Sequence, residues 1–136
     1  MGSQQLLLIV IGLVVVAIMV AVGVTTFKDQ AASTNRDELA NDLAQYAARA
    51  QVYFRRPRIL SGGGSSFDGL TMLKLTNSPA NINGTYSLSP DPVSGNPPFI
   101  TLTGIGTETG LNGTDNVKVV MYVFQDSVQV DEGVGN

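Results

Sequence analysis

Few side chains in this chain can do chemistry. It has no His and no Cys, so Ser/His/Asp and Cys/His nucleophile arrangements are excluded, and most zinc, haem and iron-sulfur chemistry lacks its ligands. Lys28, Lys74 and Lys118 are the only amines that could act as nucleophile or base, and Lys118 sits in a strand-like pattern that reads as water-facing. Asp126, Asp131 and Glu132 offer oxygen ligands for a hard cation such as calcium, but they match no spaced loop motif and read as surface acids, as do Glu108 and Asp115. The glycine-rich residues 61–66 lack the lysine and spacing of a phosphate-binding loop. The expectation is therefore a protein with no catalytic, cofactor-binding or metal-binding residues and no hydrolytic, redox or transfer activity.

One covalent possibility remains. Asn83-Gly84-Thr85 and Asn112-Gly113-Thr114 are Asn-x-Thr sequons that could accept glycans on an exported chain. Asn-Gly is equally a tight-turn signal, and the two readings are compatible, since acceptors sit on exposed loops.

The element that positions everything else is residues 6–24, LLLIVIGLVVVAIMVAVGV, 19 residues with no charged, amide or hydroxyl side chain. As a helix it is about 28 Å long, close to the roughly 30 Å hydrocarbon core of a bilayer. It is apolar all round, where a soluble helix carries a polar stripe. The preceding Met1-Gly2-Ser3-Gln4-Gln5 has no positive charge, and the apolar run exceeds the usual signal-peptide core, so an ordinary cleaved signal is not expected. Gly12 and Gly23 are its only glycines, and Ala17 and Ala21 form a small-xxx-small pair suited to close helix approach.

No proline occurs until Pro57 and no glycine between Gly23 and Gly62. Over residues 28–56, Ala31, Leu39, Leu43, Ala47, Ala50 and Phe54 recur at helical spacing, with Tyr46 and Tyr53 beside them. Asn35, Arg36, Asp37, Glu38, Asn41, Asp42, Gln45 and Arg49 are expected to occupy the solvated remainder. The spacing predicts one continuous helix from about Gln4 to Arg56, ended by Pro57.

From Ile59 the pattern turns β-like. Residues 61–66 are expected to be a flexible connector, and residues 70–76, 85–88, 99–104, 117–124 and 127–130 to be strands. The proline-rich residues 89–98 are expected to be a rigid surface loop. Such a sheet is marginal alone, and laying it on the apolar face of residues 39–54 would bury both surfaces. The fold class expected is α+β, organised as a hydrophobic helix half (1–27), an amphipathic half (28–58) and a β-rich head (59–136).

Charge divides along the same line. Residues 1–58 carry six basic and four acidic side chains, a balance of +2, and residues 59–136 carry two and seven, a balance of -5. An acidic head argues against nucleic acid as a partner, because phosphate binding needs a basic face.

A half-hydrophobic, half-amphipathic N-terminal helix followed by a small domain resembles the type IV pilin family. The resemblance rests on Gln5, the run from Leu6 to Val24 and the amphipathic continuation to Arg56. It implies a structural filament subunit held in the cytoplasmic membrane before assembly and on the cell surface afterwards. It also implies, as partners, identical subunits, a prepilin peptidase and an assembly machinery. Two mature registers follow, one beginning at Met1 and one at Ser3 after cleavage at Gly2. Leu6, Leu7, Leu13, Val15, Ile18 and Val22 would form the assembly core, Gln5 the N-terminal assembly contact, and Arg55, Arg56 and Arg58 a charged contact with a neighbour. The family usually has glutamate at its fifth mature position, a helix-breaking proline near the end of the apolar half and a head disulfide. Here Gln5 (or Leu7) replaces the first, Gly23 is nearest to the second, and the third is absent. A pseudopilin-like secretion component and a single-span surface protein are the alternatives. The filament is favoured because the helix stays amphipathic for about thirty residues past the apolar run, a strip that a simple anchor does not need.

Overall fold

The computed structural model describes residues 2–131, so Met1 and Glu132 lie outside it. Helix α1 runs unbroken from Gly2–Arg55, 54 residues and about 80 Å long. It passes through Gly12 and Gly23 without interruption, and Pro57 follows two residues after its end. A short 3-10 turn (Arg58–Leu60) and a single helical turn, α2 (Met72–Leu75), lead into four strands: β1 (Gly84–Ser89), β2 (Phe99–Thr109), β3 (Asn116–Phe124) and β4 (Val128–Asp131). The strands form one antiparallel sheet in the order β1-β2-β3-β4. The fold is α+β, as expected, and its outline of a long apolar helix followed by a small antiparallel sheet is pilin-like.

The second half of α1 lies across one face of the sheet. Ala32, Leu39, Leu43, Tyr46, Ala47 and Ala50 meet the inward residues Tyr86 and Leu88 of β1, Ile100 and Leu102 of β2, and Val117, Val119, Met121 and Val123 of β3. Strand alternation with period two delivers these residues to one side. β2 contributes Gly104 and Gly106 opposite Leu43, Leu39 and Asn35 of α1. A methyl group on Gly104 would touch the Tyr86 ring at 3.2 Å and Leu43 at 3.4 Å, and one on Gly106 would overlap the Asn35 side chain. Between the pairs Ile105↔Lys118 and Thr109↔Asn116, β2 advances four residues while β3 advances two. This bulge bends the end of β2 and increases its local twist.

Three expectations are corrected. Residues 70–76 are not a strand: Met72 and Leu75 are buried while Leu73 and Lys74 are exposed, a spacing of three that a helical turn satisfies and a strand does not. Residues 61–66 are not a free connector. The N-H groups of Gly63, Ser65 and Gly64 donate to the carbonyls of Tyr53, Phe54 and Arg56 at 2.8, 2.7 and 2.9 Å, closing the C-terminal end of α1. The proline-rich loop is also less superficial than expected, because Val93 is buried and exchanges backbone hydrogen bonds with Gly69 and Leu70.

Candidate assembly surface

Every residue from Gly2 to Gln30 is exposed. The large apolar side chains between Leu6 and Val24 keep from 43% (Val15) to 69% (Leu8) of their surface open. These values encircle the helix, so no face of it is covered by the described residues of the head. Leu6, Leu7, Leu13, Val15, Ile18 and Val22 are distributed around it rather than brought to one side, and around Gly12 and Gly23 there is open space. The hydroxyls of Thr25 and Thr26 donate to the carbonyls of Ala21 and Val22 at 3.0 and 2.9 Å, so their polar groups are satisfied within the helix. The surface free of charge therefore extends to Phe27, with Lys28 the first ionic residue. Gln5 stands exposed one turn from the start of the described helix.

The head adds two apolar zones at opposite ends. Near the apolar half, Phe27 (74% exposed) lies between two depressions, one reaching Ile82 and Glu108, the other reaching Leu111 at the tip of the β2–β3 loop. At the far end a groove is lined by Arg49, Val52, Tyr53, Arg56, Ser61 and Lys74, and the chain neighbours of its lining, Leu60 and Leu73, are exposed, as is Ile59. Arg55, Arg56 and Arg58 are all exposed there. The groove's three cations contrast with the carboxylates of the first depression, Glu38 and Glu108.

What holds the head to the helix is partly polar, and here sequence reasoning missed residues. Asn35, assigned above to the solvated surface, is buried. Its side-chain N-H donates to the Asn83 carbonyl at 2.8 Å, and its oxygen accepts from the Glu108 N-H at 3.4 Å. One heptad on, the Asp42 carboxylate accepts from Asn81 at 2.9 Å, from Asn83 at 3.0 Å and from the Tyr86 hydroxyl. One heptad further, Arg49 donates to the Leu75 carbonyl at 2.6 Å and lies over the Tyr46 ring. Burial works against the Asp42 charge, but the Tyr86, Asn81 and Asn83 hydrogen bonds outweigh it and hold the carboxyl below its ordinary pKa. Burial first, then the hydrogen bond to Asp42, pushes the Tyr86 phenol well above its usual range. The recurrence of Asn35, Asp42 and Arg49 at intervals of seven was the available signal, since a polar residue every two turns stays on one flank of a helix. On the opposite flank Gln51 donates to the Phe124 and Ser127 carbonyls, and Arg36 has two guanidinium nitrogens buried without a hydrogen-bond partner.

The remaining candidates are dispersed. Asp126 and Asp131 flank β4, and Lys118 is half-buried on β3. Among the described residues no three potential metal ligands converge. No family model, curated protein or solved structure matches this chain.

Proposed function

We propose that this protein is the structural subunit of a type IV pilus-like extracellular filament, polymerising through the apolar half of α1 and acting without catalysis. The observation that carries the reading is a fully apolar helix half that its own head leaves uncovered on every side. Such a surface is stable only in a bilayer or against other apolar helices. A bilayer alone would leave the far zone unexplained: Val52 and Ile59 lie roughly 40 Å along or beyond the helix from Val24 at the standard rise, outside any membrane. Ile59 is 92% exposed and Leu73 68%. Neighbouring copies would cover the apolar half of α1 and the far zone at once. The subunit would wait in the cytoplasmic membrane, released there by a prepilin peptidase and taken up by an assembly machinery, with the acidic head outward.

The test is electron microscopy and peptide mapping of fibres sheared from the source cells. This chain as the repeating subunit supports the filament. Recovery of the chain only in membrane fractions, with no fibres containing it, overturns the reading in favour of a pseudopilin-like secretion component or a single-span surface protein.

A further inference from the structure

The two sequons have the same sequence, Asn-Gly-Thr, and different surroundings. Asn83 is half-buried, and its side-chain nitrogen, the atom a glycan would take, donates to Asp42 at 3.0 Å. Its carbonyl accepts from Asn35 and its own N-H donates to Asn81. The next residue, Gly84, is buried so tightly that an added methyl group would overlap the Ile105 carbonyl, and Thr85 is paired with Ile105 in the sheet. Reaching the Asn83 nitrogen requires dismantling the contact that ties β1 to α1.

Asn112 is open. It lies on the loop between β2 and β3, where Asn112, Gly113 and Thr114 are all exposed and no atom stands within 4 Å of a methyl group placed on Gly113. Among the described residues the Asn112 nitrogen donates only to the exposed Asp115 carboxylate, at 3.2 Å, a contact water can replace. The turn is held by the other side-chain atom: the oxygen accepts from the Thr114 and Asp115 N-H groups, each at 3.1 Å. Substituting the nitrogen leaves those bonds in place. The same loop borders Thr25, Phe27 and Lys28, at the end of the head nearest the apolar half of α1.

We infer that Asn112 is an N-glycan acceptor and that Asn83 is not. The donor class is an oligosaccharide carried on a polyprenyl phosphate lipid, presented by a membrane-bound transferase that reads the Asn-x-Thr tripeptide. The Asn112 nitrogen forms a bond to the anomeric carbon, the bond from that carbon to the phosphate oxygen breaks, and the lipid phosphate leaves with the electron pair. The nitrogen keeps one hydrogen and gives the other as a proton to a base of the transferase. The inference rests on the exported placement of the head proposed above.

The experiment is intact-glycopeptide mass spectrometry of the full-length protein isolated from its source cells, alongside amine labelling of intact cells with a membrane-impermeant reagent. A sugar mass on the Asn112 peptide, lost in Asn112→Gln and in Thr114→Val and kept in Thr85→Val, is the expected result. A sugar on Asn83 overturns the inference. A bare Asn112 on a head whose Lys118, on the outward face of β3, is labelled overturns the acceptor alone, while a bare head unlabelled at Lys118 overturns both the acceptor and the export on which it depends.

Discussion

Removing the Asp42 carboxylate leaves the Tyr86 hydroxyl and the amides of Asn81 and Asn83 without their shared acceptor. Hydrogen bonds to a charged group contribute about 1.5–3 kcal/mol when buried, and the partial exposure of Asp42 discounts that, so Asp42→Ala should cost about 2 kcal/mol in urea unfolding. The pH dependence has two arms. The depressed pKa of Asp42 contributes stability that is fully present above the unfolded value of about 4 and is lost as pH falls toward its folded value. The raised pKa of Tyr86 contributes stability that is fully present below the unfolded value of about 10 and is lost as pH rises beyond it. Asp42→Ala should flatten the acid arm, and Tyr86→Phe the alkaline arm. An unchanged acid profile in Asp42→Ala would show that the carboxylate is not the hub described here. These roles were hidden in the sequence because helical periodicity separates apolar from polar positions but does not say which polar residue will find a partner. Asn35 and Asp37 are both short polar side chains in one turn of α1, yet Asp37 stays exposed while Asn35 is buried once the sheet is in place.

Periodicity over long uninterrupted stretches was the most readable part of the chain. The absence of glycine and proline from residues 24–56 gave α1 to within two residues at either end, and alternation gave β1, β3, β4 and the first six residues of β2, which runs on to Thr109. The stretch around Leu70 was misread because Leu70, Met72, Leu73 and Leu75 satisfy alternating and helical templates about equally over so few residues. Phe67 and Val93 went unassigned to the core because both sit in glycine- and proline-rich loops, yet each is at most 2% exposed. The amphipathic half of α1 supplies one entire layer of that core, which decides where the chain can be cut. A fragment beginning at Lys28 should be a soluble monomer with the full sheet, whereas one beginning at Ile59 should not fold, as checked by circular dichroism and sedimentation. The C-terminal closure of α1 is similarly specific. An added methyl group at Gly63 would overlap the Ser66 carbonyl and displace the Gly63 N-H from Tyr53. Gly63→Ala should therefore cost about 1–3 kcal/mol in the same urea assay, and an effect within about 0.5 kcal/mol of zero, the range of an ordinary surface change, would show that the loop yields freely.

At the scale of the whole molecule, the chain places its exposed cations and its acidic surplus apart. Arg55, Arg56 and Arg58 surround the neck, and residues 59–136 carry the -5 balance. In the proposed filament the neck of one subunit meets the acidic head of the next. Exposed pairs contribute only about 0–1 kcal/mol each, so the effect should show as salt sensitivity rather than as loss of fibres. Fibres of an Arg55→Ala, Arg56→Ala double variant should dissociate at lower salt than the parent, and identical dissociation across a salt series would remove the neck from the interface.

The cohesion of the assembly is assigned instead to residues 6–24. Burying most of that segment removes on the order of 1,500 Å² from water, which at about 25 cal/mol per Å² amounts to tens of kcal/mol per subunit before entropy costs. Because α1 is continuous through Gly12 and Gly23 and contains no proline, it should enter the filament as a largely intact helix, any loosening falling near Gly23. Val15 sits at the middle of the segment and is its least exposed large side chain. Val15→Asp places an unpaired carboxylate there, at a cost of several kcal/mol in a dry core and a few kcal/mol at a bilayer centre. The variant should form no fibres, while the head of the full-length, detergent-solubilised variant unfolds as in the parent, since the head contacts no part of the substituted segment. Val15→Leu, which preserves apolarity, should assemble normally. Normal fibres from Val15→Asp, or a filament map with residues 6–24 on the outer surface, would remove the apolar half of α1 from the core and with it the main source of cohesion.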